Sequence, residues 1–137
     1  MKALLDTNIV LDVLMGRKPH AADAVEVFRL IEQGRVSGLL CATTITTLDY
    51  LLSQHLKRTE ARKLLAHVLS LFEIATVNRA VLEAAMASRM DNFEDAVLDH
   101  AAQHSGADVI VTRYSKDFAR GKSKVVDPRQ FIVLMQP

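Results

Sequence analysis

The sequence predicts an α/β sandwich in which helices flank a central, mostly parallel sheet. Short apolar segments alternate with segments in which apolar residues recur at helical spacing, the order expected of strands joined by crossover helices. The apolar segments are continuous, as in parallel strands that are buried on both faces. The chain has 137 residues, half of them hydrophobic, which is enough for one core. We therefore expect a single domain over residues 1–137.

The first half of the chain begins as a strand, two helices and a second strand. Residues 2–6 are apolar up to an acid, and the polar residues that follow can cap a helix that ends at Gly16. Pro19 is suited to the first turn of a second helix, in which apolar residues recur until Gly34. Residues 38–42 form the second apolar run, so we expect the second strand there.

The rest of the chain repeats this alternation. Hydroxyl residues at the start of the next segment can cap a third helix, and Asn78 is suited to capping a later one. Gly106 directly follows the last long helical segment, as a helix-ending glycine should. The predicted elements are, in order, a helix at 43–52, a helix from Thr59, a strand at 72–77, a helix at 78–90, a helix at 91–105, a strand at 107–112 and a strand at 131–134.

Charge and cysteine content exclude some classes of protein. The formal net charge is +1, so no global basic field attracts nucleic acid. Residues 82–99 are mainly acidic and residues 113–129 mainly basic, which suits a metal-assisted phosphodiesterase but is more simply explained by two solvated surfaces. Cys41 is the only cysteine, and no apolar run approaches the length of a membrane span, so we expect a cytoplasmic protein without a disulfide.

Four carboxylates stand out because of their places in the predicted elements. Asp6 ends the first strand and Asp117 follows the strand at 107–112, so both are expected at one edge of the sheet. Asp95 lies in the first turn of a helix that is apolar around most of its circumference, where an unpaired charge is costly. Asp49 lies in another apolar helix, either facing a site or at its only exposed position.

Two acids near Asp95 do not require a site. Asp91, Asp95 and Asp99 are spaced four residues apart and therefore form a stripe along the predicted helix. Capping of the helix is sufficient to account for Asp91 and is also a rival role for Asp95. Asp99 is expected to face solvent.

If the four carboxylates cluster, they predict a divalent cation. Hard oxygen ligands suit Mg²⁺ or Mn²⁺, which retain several waters in the coordination shell. Clustered carboxylates without a cation would repel one another and take up protons. A metal-activated water is a nucleophile for phosphodiester hydrolysis, so the pattern favours a hydrolase.

Three motifs in this order resemble those of the PIN domain family. They are LLDTNIVLD at residues 4–12, NFEDA at 92–96 and TRYSKDF at 112–118. The resemblance extends over essentially the whole chain. Within the family the chain resembles the virulence-associated protein C kind of toxin ribonuclease, from type II toxin–antitoxin pairs, and related small bacterial PIN proteins. This resemblance implies a PIN-like three-layer sandwich and metal-dependent hydrolysis of RNA. It also implies an antitoxin partner and pairing as a homodimer.

The resemblance also implies roles for individual residues. Asp6, Asp95 and Asp117 would bind the Mg²⁺ or Mn²⁺ ion, with Asn8 and Thr112 as polar supports of the site.

Two positions depart from the family pattern. Asp49 falls where the family usually has glutamate, so its contact with the ion is expected to run through water while it orients or deprotonates the attacking water. Tyr114 stands where relatives often carry Asp or Asn, which leaves Asp117 as the only carboxylate of that segment. Arg113 and Lys116 either hold the phosphates of the RNA or are simply solvated.

Two other functions compete with the nuclease. The chain resembles a haloacid dehalogenase-like phosphatase in its first strand, which ends in a potential nucleophile, but that family normally has a second Asp where this chain has Asn8. The other alternative is a catalytically inactive module of the same fold that binds RNA or protein. Loss of cleavage in an Asp6→Asn variant would exclude this binding module.

Overall fold

The computed structural model describes residues 1–137 and contains five strands and seven α-helices. The strands are β1 (Lys2–Leu5), β2 (Ser37–Cys41), β3 (Glu73–Ala75), β4 (Val109–Val111) and β5 (Val125–Val126). The helices are α1 (Thr7–Leu14), α2 (Ala21–Glu32), α3 (Ala42–Leu52), α4 (Arg58–Leu71), α5 (Arg79–Met86), α6 (Phe93–His104) and α7 (Pro128–Leu134). A 3-10 helix covers Ser115–Phe118 between β4 and β5.

The strands form one sheet in the order β3-β2-β1-β4-β5, and every neighbouring pair is parallel. Strand β1 lies in the middle, where Leu4 is paired with Leu39 on one side and with Ile110 on the other. The order of the strands reverses at β1, because the chain first builds outward through β2 and β3 and then returns to add β4 and β5. In such sheets the crevice at the carboxyl ends of the strands beside the reversal is the usual binding site.

Helices cover both faces of the sheet, which confirms the predicted α/β sandwich. Side chains of the central strands alternate between two buried clusters: Leu4 and Ile110 point to one, Leu5 and Val111 to the other. Helices α5 and α6 complete the first cluster, and α1, α2, α3, α4 and α7 complete the second. Burial on both faces explains why the strands are continuously apolar in sequence. No helix is both long enough and apolar enough to span a membrane.

The last predicted strand, residues 131–134, is wrong. These residues belong to α7, which begins with a capping box: the Asp127 side chain accepts from the Gln130 backbone, and the Gln130 side chain accepts from the Asp127 backbone. Pro128 occupies the first turn, where its missing N–H costs no hydrogen bond. The edge strand is instead the two-residue β5. A short apolar run does not distinguish a strand from a helix by itself, so the cap is the more informative signal.

Asp99, expected to face solvent, is also a correction, since only 1% of it is exposed. Its carboxylate accepts hydrogen bonds from the backbone N–H groups of Lys122 (3.1 Å) and Ser123 (2.9 Å) and from the side chain of Gln103 (3.0 Å). A β-carbon at Gly121 would lie 3.0 Å from this carboxylate, so the loop approaches closely only because that residue is glycine. Asp99 thereby fastens α6 to the segment that follows the 3-10 helix.

We expect Asp99→Ala to lower the free energy of unfolding by about 1–3 kcal/mol, because two backbone N–H groups lose their acceptor in a partly buried place. Urea unfolding followed by circular dichroism measures the change. Gln103→Ala is the matched control on the same helix. It removes a single donor to the same carboxylate and should cost less than half as much.

Candidate active site

The candidate site lies where β1 and β4 end side by side. Asp6 directly follows β1, and its backbone N–H donates to the carbonyl of Val111 at the end of β4 (2.9 Å). Thr112 directly follows β4 and is fully buried. The parallel pairing of the two strands therefore brings residues that are 106 positions apart into contact at one edge of the sheet.

Asp6 is held by three hydrogen bonds. Its Oδ2 accepts from the Thr112 hydroxyl (2.8 Å) and from the Asn8 side-chain amide (2.9 Å), and its Oδ1 accepts from the backbone N–H of Thr7 (2.8 Å). Burial raises the pKa of Asp6, and the hydrogen bonds from Thr112, Thr7 and Asn8 counteract only part of that rise. The arrangement fixes the direction of this carboxylate while leaving its charge incompletely compensated.

Asp95 approaches the same place from the start of α6. The Asn92 side chain caps this helix by accepting from the backbone N–H of Asp95 (3.0 Å). The pKa of Asp95 is raised to about 6 by burial and then by the negative charges of Asp6, Asp117 and Glu94. These carboxylates are therefore close enough to repel one another.

Asp117 is presented by the 3-10 helix, which buried Phe118 anchors to the core. Asp95 and Asp117 both line a cleft of about 300 Å³. The other lining residues are mostly polar or charged: Met90, Asp91, Asn92, Lys116, Ala119 and Arg120.

This donor set fits a divalent cation that keeps much of its water. No three acid, histidine or cysteine side chains form a complete ligand group in the chain. Mg²⁺ is usually held by only one or two carboxylates and waters, so a full protein cage is not required. All donors are hard oxygens, and a cation among Asp6, Asp95 and Asp117 would relieve the repulsion that raises the pKa of Asp95.

Asp49, predicted to act with these acids, lies on α3 and faces α4. Its Oδ1 is 3.7 Å from Nε of Arg62, and this buried oxygen accepts no hydrogen bond. Asp49 is not among the charges that raise the pKa of Asp6 or Asp95, whereas Glu94 is. The structure thus groups Asp6 with Asp95 and Asp117 and adds Glu94, an acid that the sequence interpretation did not single out.

A buried acid under the site also escaped the sequence interpretation. Asp12 of α1 is fully buried and forms ion pairs with Nε of Arg17 (2.8 Å) and Nε of Arg113 (2.7 Å). Both arginines also reach Asn8: Arg17 donates to its carbonyl (3.2 Å), and the backbone N–H of Arg113 donates to its Oδ1 (3.2 Å). The only sequence signal was an acid inside the apolar run Ile9-Val10-Leu11-Asp12-Val13-Leu14.

These contacts distinguish the two predicted RNA-binding residues. The guanidinium of Arg113 is directed at Asp12, and its side chain is only 17% exposed. Lys116 is exposed, lines the cleft and forms no ion pair in the structure. Lys116 is therefore the more available of the two cations for a phosphate.

In metal-free protein, Asp95→Asn is expected to raise the free energy of unfolding at pH 7 by about 1 kcal/mol. This is less than the full pKa shift implies, because the side chain is partly exposed to solvent. Folding raises the pKa of Asp95 from 3.8 to about 6, so the folded state binds more protons between these values. Stability is therefore lost as the pH rises through this window.

The test is urea unfolding in EDTA from pH 3.5 to pH 7.5. The gain from Asp95→Asn should be present above the folded pKa of about 6 and should disappear below 3.8. A gain that is equal at every pH would contradict the raised pKa of Asp95, which burial and the neighbouring negative charges explain.

Comparisons with known proteins agree with this architecture. A family model described as PIN domain matches residues 2–115. No curated protein matches the chain.

Three solved structures are similar over nearly their whole length. VapBC2 from Rickettsia felis, bound to a DNA fragment from its promoter, is 17% identical with a TM-score of 0.74, covering 93% of this chain and 98% of that chain. A toxin–antitoxin complex from Klebsiella pneumoniae is 26% identical with a TM-score of 0.70, covering 92% and 97%. VapBC-1 from nontypeable Haemophilus influenzae is 15% identical with a TM-score of 0.68, covering 94% and 99%.

Proposed function

The chain belongs to the PIN domain family, and on this basis we propose that it is a metal-dependent ribonuclease, the toxin of a toxin–antitoxin pair. The similarity to a Klebsiella pneumoniae toxin–antitoxin complex supports the second part of the proposal. The observation that carries the first part is the convergence of Asp6, Asp95 and Asp117 at the point where the strand order reverses. The family match points away from the haloacid dehalogenase-like phosphatase.

The three acids of the site act together in the proposed reaction. Asp6 is oriented by Thr112 and Asn8, and together with Asp95 and Asp117 it would hold Mg²⁺ or Mn²⁺. When bound, the cation stabilises negative charge on the phosphodiester and makes water a better nucleophile. The acids must be ionised to hold the cation. Because the fold already brings them together, little rearrangement of the protein accompanies the reaction.

The remaining predicted residues act around this centre. Asp49 would orient water from α3, where its Oδ1 lies 3.7 Å from Nε of Arg62 and accepts no hydrogen bond. Lys116 holds a phosphate beside the cleft, because its charge is exposed and unpaired. Arg113 contributes through Nη1, which is directed at the Tyr114 hydroxyl rather than at Asp12. RNA enters the site by the cleft between α6 and the 3-10 helix.

The test is cleavage of an end-labelled RNA pool by purified protein in EDTA, Mg²⁺ or Mn²⁺, beside an Asp6→Asn/Asp95→Asn double variant. Cleavage that needs the metal and is absent in the double variant is the expected result. Absence of cleavage by the unmodified, folded protein in either metal would contradict it and favour the inactive binding module.

We also propose partners and a location. An antitoxin would bind this chain, and two copies of the chain would pair, as the family resemblance implies. The cytoplasm is the proposed location because an RNA substrate is available there. Sedimentation of the purified chain is expected to give the mass of a dimer, and a monomer at micromolar concentration would contradict the pairing.

A further inference from the structure

Helix α6 carries two acids, one turn apart, that have different neighbours. Asp95 lies in the first turn and lines the cleft of the candidate active site, and Asp99 follows about 6 Å further along the helix axis. Asp99 contacts the loop at residues 119–123, which directly follows the 3-10 helix that presents Asp117. One helix therefore carries Asp95 and also holds the segment next to Asp117.

Three hydrogen bonds join Asp99 to this loop. Its carboxylate accepts from the backbone N–H groups of Lys122 (3.1 Å) and Ser123 (2.9 Å). Its backbone carbonyl accepts from the Ser123 hydroxyl (3.3 Å). The three heavy atoms nearest to a β-carbon built at Gly121 all belong to the Asp99 carboxyl group, so helix and loop are in close contact at this point.

Packing of side chains contributes little to holding the loop. Ala119, Arg120 and Lys122 are exposed. Ala119 and Arg120 line the cleft, and Arg120, Gly121 and Lys122 line a second cavity of about 400 Å³. The ion pair between Arg120 and Asp91 (3.8 Å) is exposed and adds little. Because the loop borders open space in this way, its position depends on the hydrogen bonds to Asp99.

Asp117 is placed by two anchors in the chain that follows it. The first is Phe118, which is buried in the core and fixes where the 3-10 helix lies. A segment with a single anchor can still turn about that point, so the direction of Asp117 requires a second one. The backbone N–H of Gly121 donates to the Phe118 carbonyl (2.9 Å) and thereby connects the first anchor to the loop that Asp99 holds.

We propose that Asp99 is a positioning residue of the metal site, because it fixes the loop at 119–123 to α6 and thereby sets the place of Asp117 relative to Asp95. The inference rests on the proposed metal-dependent function and adds a residue that is not among those lining the cleft. Mg²⁺ requires near-ideal octahedral geometry, so displacement of one carboxylate lowers its affinity. The loop contacts of Asp99 are thus expected to support cation binding as well as stability.

The experiment measures Mn²⁺ binding to the purified chain without RNA, by electron paramagnetic resonance of the free ion. Asp99→Ala is expected to weaken binding about tenfold, because partners that orient metal ligands typically account for roughly 10–100-fold in affinity. Gln103→Ala is the matched control, since it removes a donor to the same carboxylate but leaves the loop contacts in place. It should change the Mn²⁺ affinity by less than about twofold.

Two further variants distinguish positioning from a general loss of stability. Val68→Ala leaves a space in the buried cluster on the other face of the sheet, so it lowers stability without altering α6 or the loop, and its Mn²⁺ affinity should be unchanged. Gly121→Ala places a methyl group 3.0 Å from the Asp99 carboxylate and should weaken Mn²⁺ binding by displacing the loop. In an Asp99→Ala background it should have no further effect, because the group it meets is absent.

Several results would overturn the inference. Unchanged Mn²⁺ affinity in folded Asp99→Ala and Gly121→Ala would show that the loop does not set the site, and Gly121→Ala alone decides if Asp99→Ala does not fold. An equal loss in Val68→Ala would show a general effect of stability. If the Asp6→Asn/Asp95→Asn variant binds Mn²⁺ as the unmodified chain does, both the inference and the proposed function are wrong. If the unmodified chain binds Mn²⁺ at these acids but cuts no RNA, only the ribonuclease function is wrong.

Discussion

Asp12→Ala is expected to lower the free energy of unfolding by about 3–5 kcal/mol, since it leaves two arginines without their buried counter-ion. The Asp12 side chain is fully buried, and the Arg113 side chain is only 17% exposed. Removing the carboxylate leaves a desolvated positive charge that the surrounding core cannot compensate. Urea unfolding measures the loss.

The matched control is Asp23→Ala, which breaks an ion pair of similar length with Arg129 (2.9 Å). That pair is on the surface, where Arg129 is 72% exposed, so the expected cost is below about 1 kcal/mol. Equal effects of the two substitutions would contradict a structural role for Asp12. Both arginines also bond to Asn8, which supports Asp6. Asp12→Asn is therefore expected to lower the rate of RNA cleavage as well as the free energy of unfolding.

Asp6→Asn is expected to lower the rate of metal-dependent RNA cleavage by about 10²-fold or more, since loss of a partner of a metal ligand alone typically costs 10–100-fold. Asparagine keeps the shape of the side chain and can still accept from the Thr112 hydroxyl. The substitution removes the charge that would bind the cation and the hydrogen bond that Oδ1 accepts from the Thr7 backbone N–H. Single-turnover cleavage in Mg²⁺ measures the effect, with rates repeated at increasing Mg²⁺.

Asp108→Asn is the control for Asp6→Asn, because Asp108 precedes β4 and therefore lies at the opposite edge of the sheet. Its carboxylate accepts from the backbone N–H of Lys2 (2.8 Å). The rate of RNA cleavage by Asp108→Asn should be within about twofold of the unmodified rate, because this substitution leaves Asp6, Asp95 and Asp117 unchanged at the other edge of the sheet. Asp6→Asn should also leave the fold intact, because it removes a charge that burial penalises.

The sequence predicted the strands and the helix ends correctly where these depend on residues close together in the chain. Continuous apolar runs located β1, β2 and β4, and glycines such as Gly16 and Gly106 marked helix ends, where both have positive φ. Parallel pairing then predicted that Asp6 and the end of the strand at 107–112 share one edge, and Thr112 at that end lies within hydrogen-bond distance of Asp6. These features follow from neighbours a few residues apart or from one general property of parallel sheets.

The sequence did not predict the surroundings of residues whose contacts lie far away along the chain. Asp99 is satisfied by backbone groups about 24 residues away. Asp12 binds Arg17 nearby, but its second arginine lies 101 residues away, and the burial of either acid is not evident from its neighbours in sequence. Residues 131–134 were predicted as a strand because four apolar residues in a row fit either element. The side chain of Asp49 presented the same ambiguity, and it is the contact with Arg62 across two helices that places it.

The proposed reaction depends above all on a divalent cation among Asp6, Asp95 and Asp117. Anomalous X-ray diffraction from crystals of the unmodified chain grown with Mn²⁺ would locate the ion directly. We expect one strong peak at the cleft, within direct or water-mediated reach of these three carboxylates. A peak elsewhere, or none at the cleft in crystals of protein that cuts RNA with Mn²⁺, would contradict the proposed metal site.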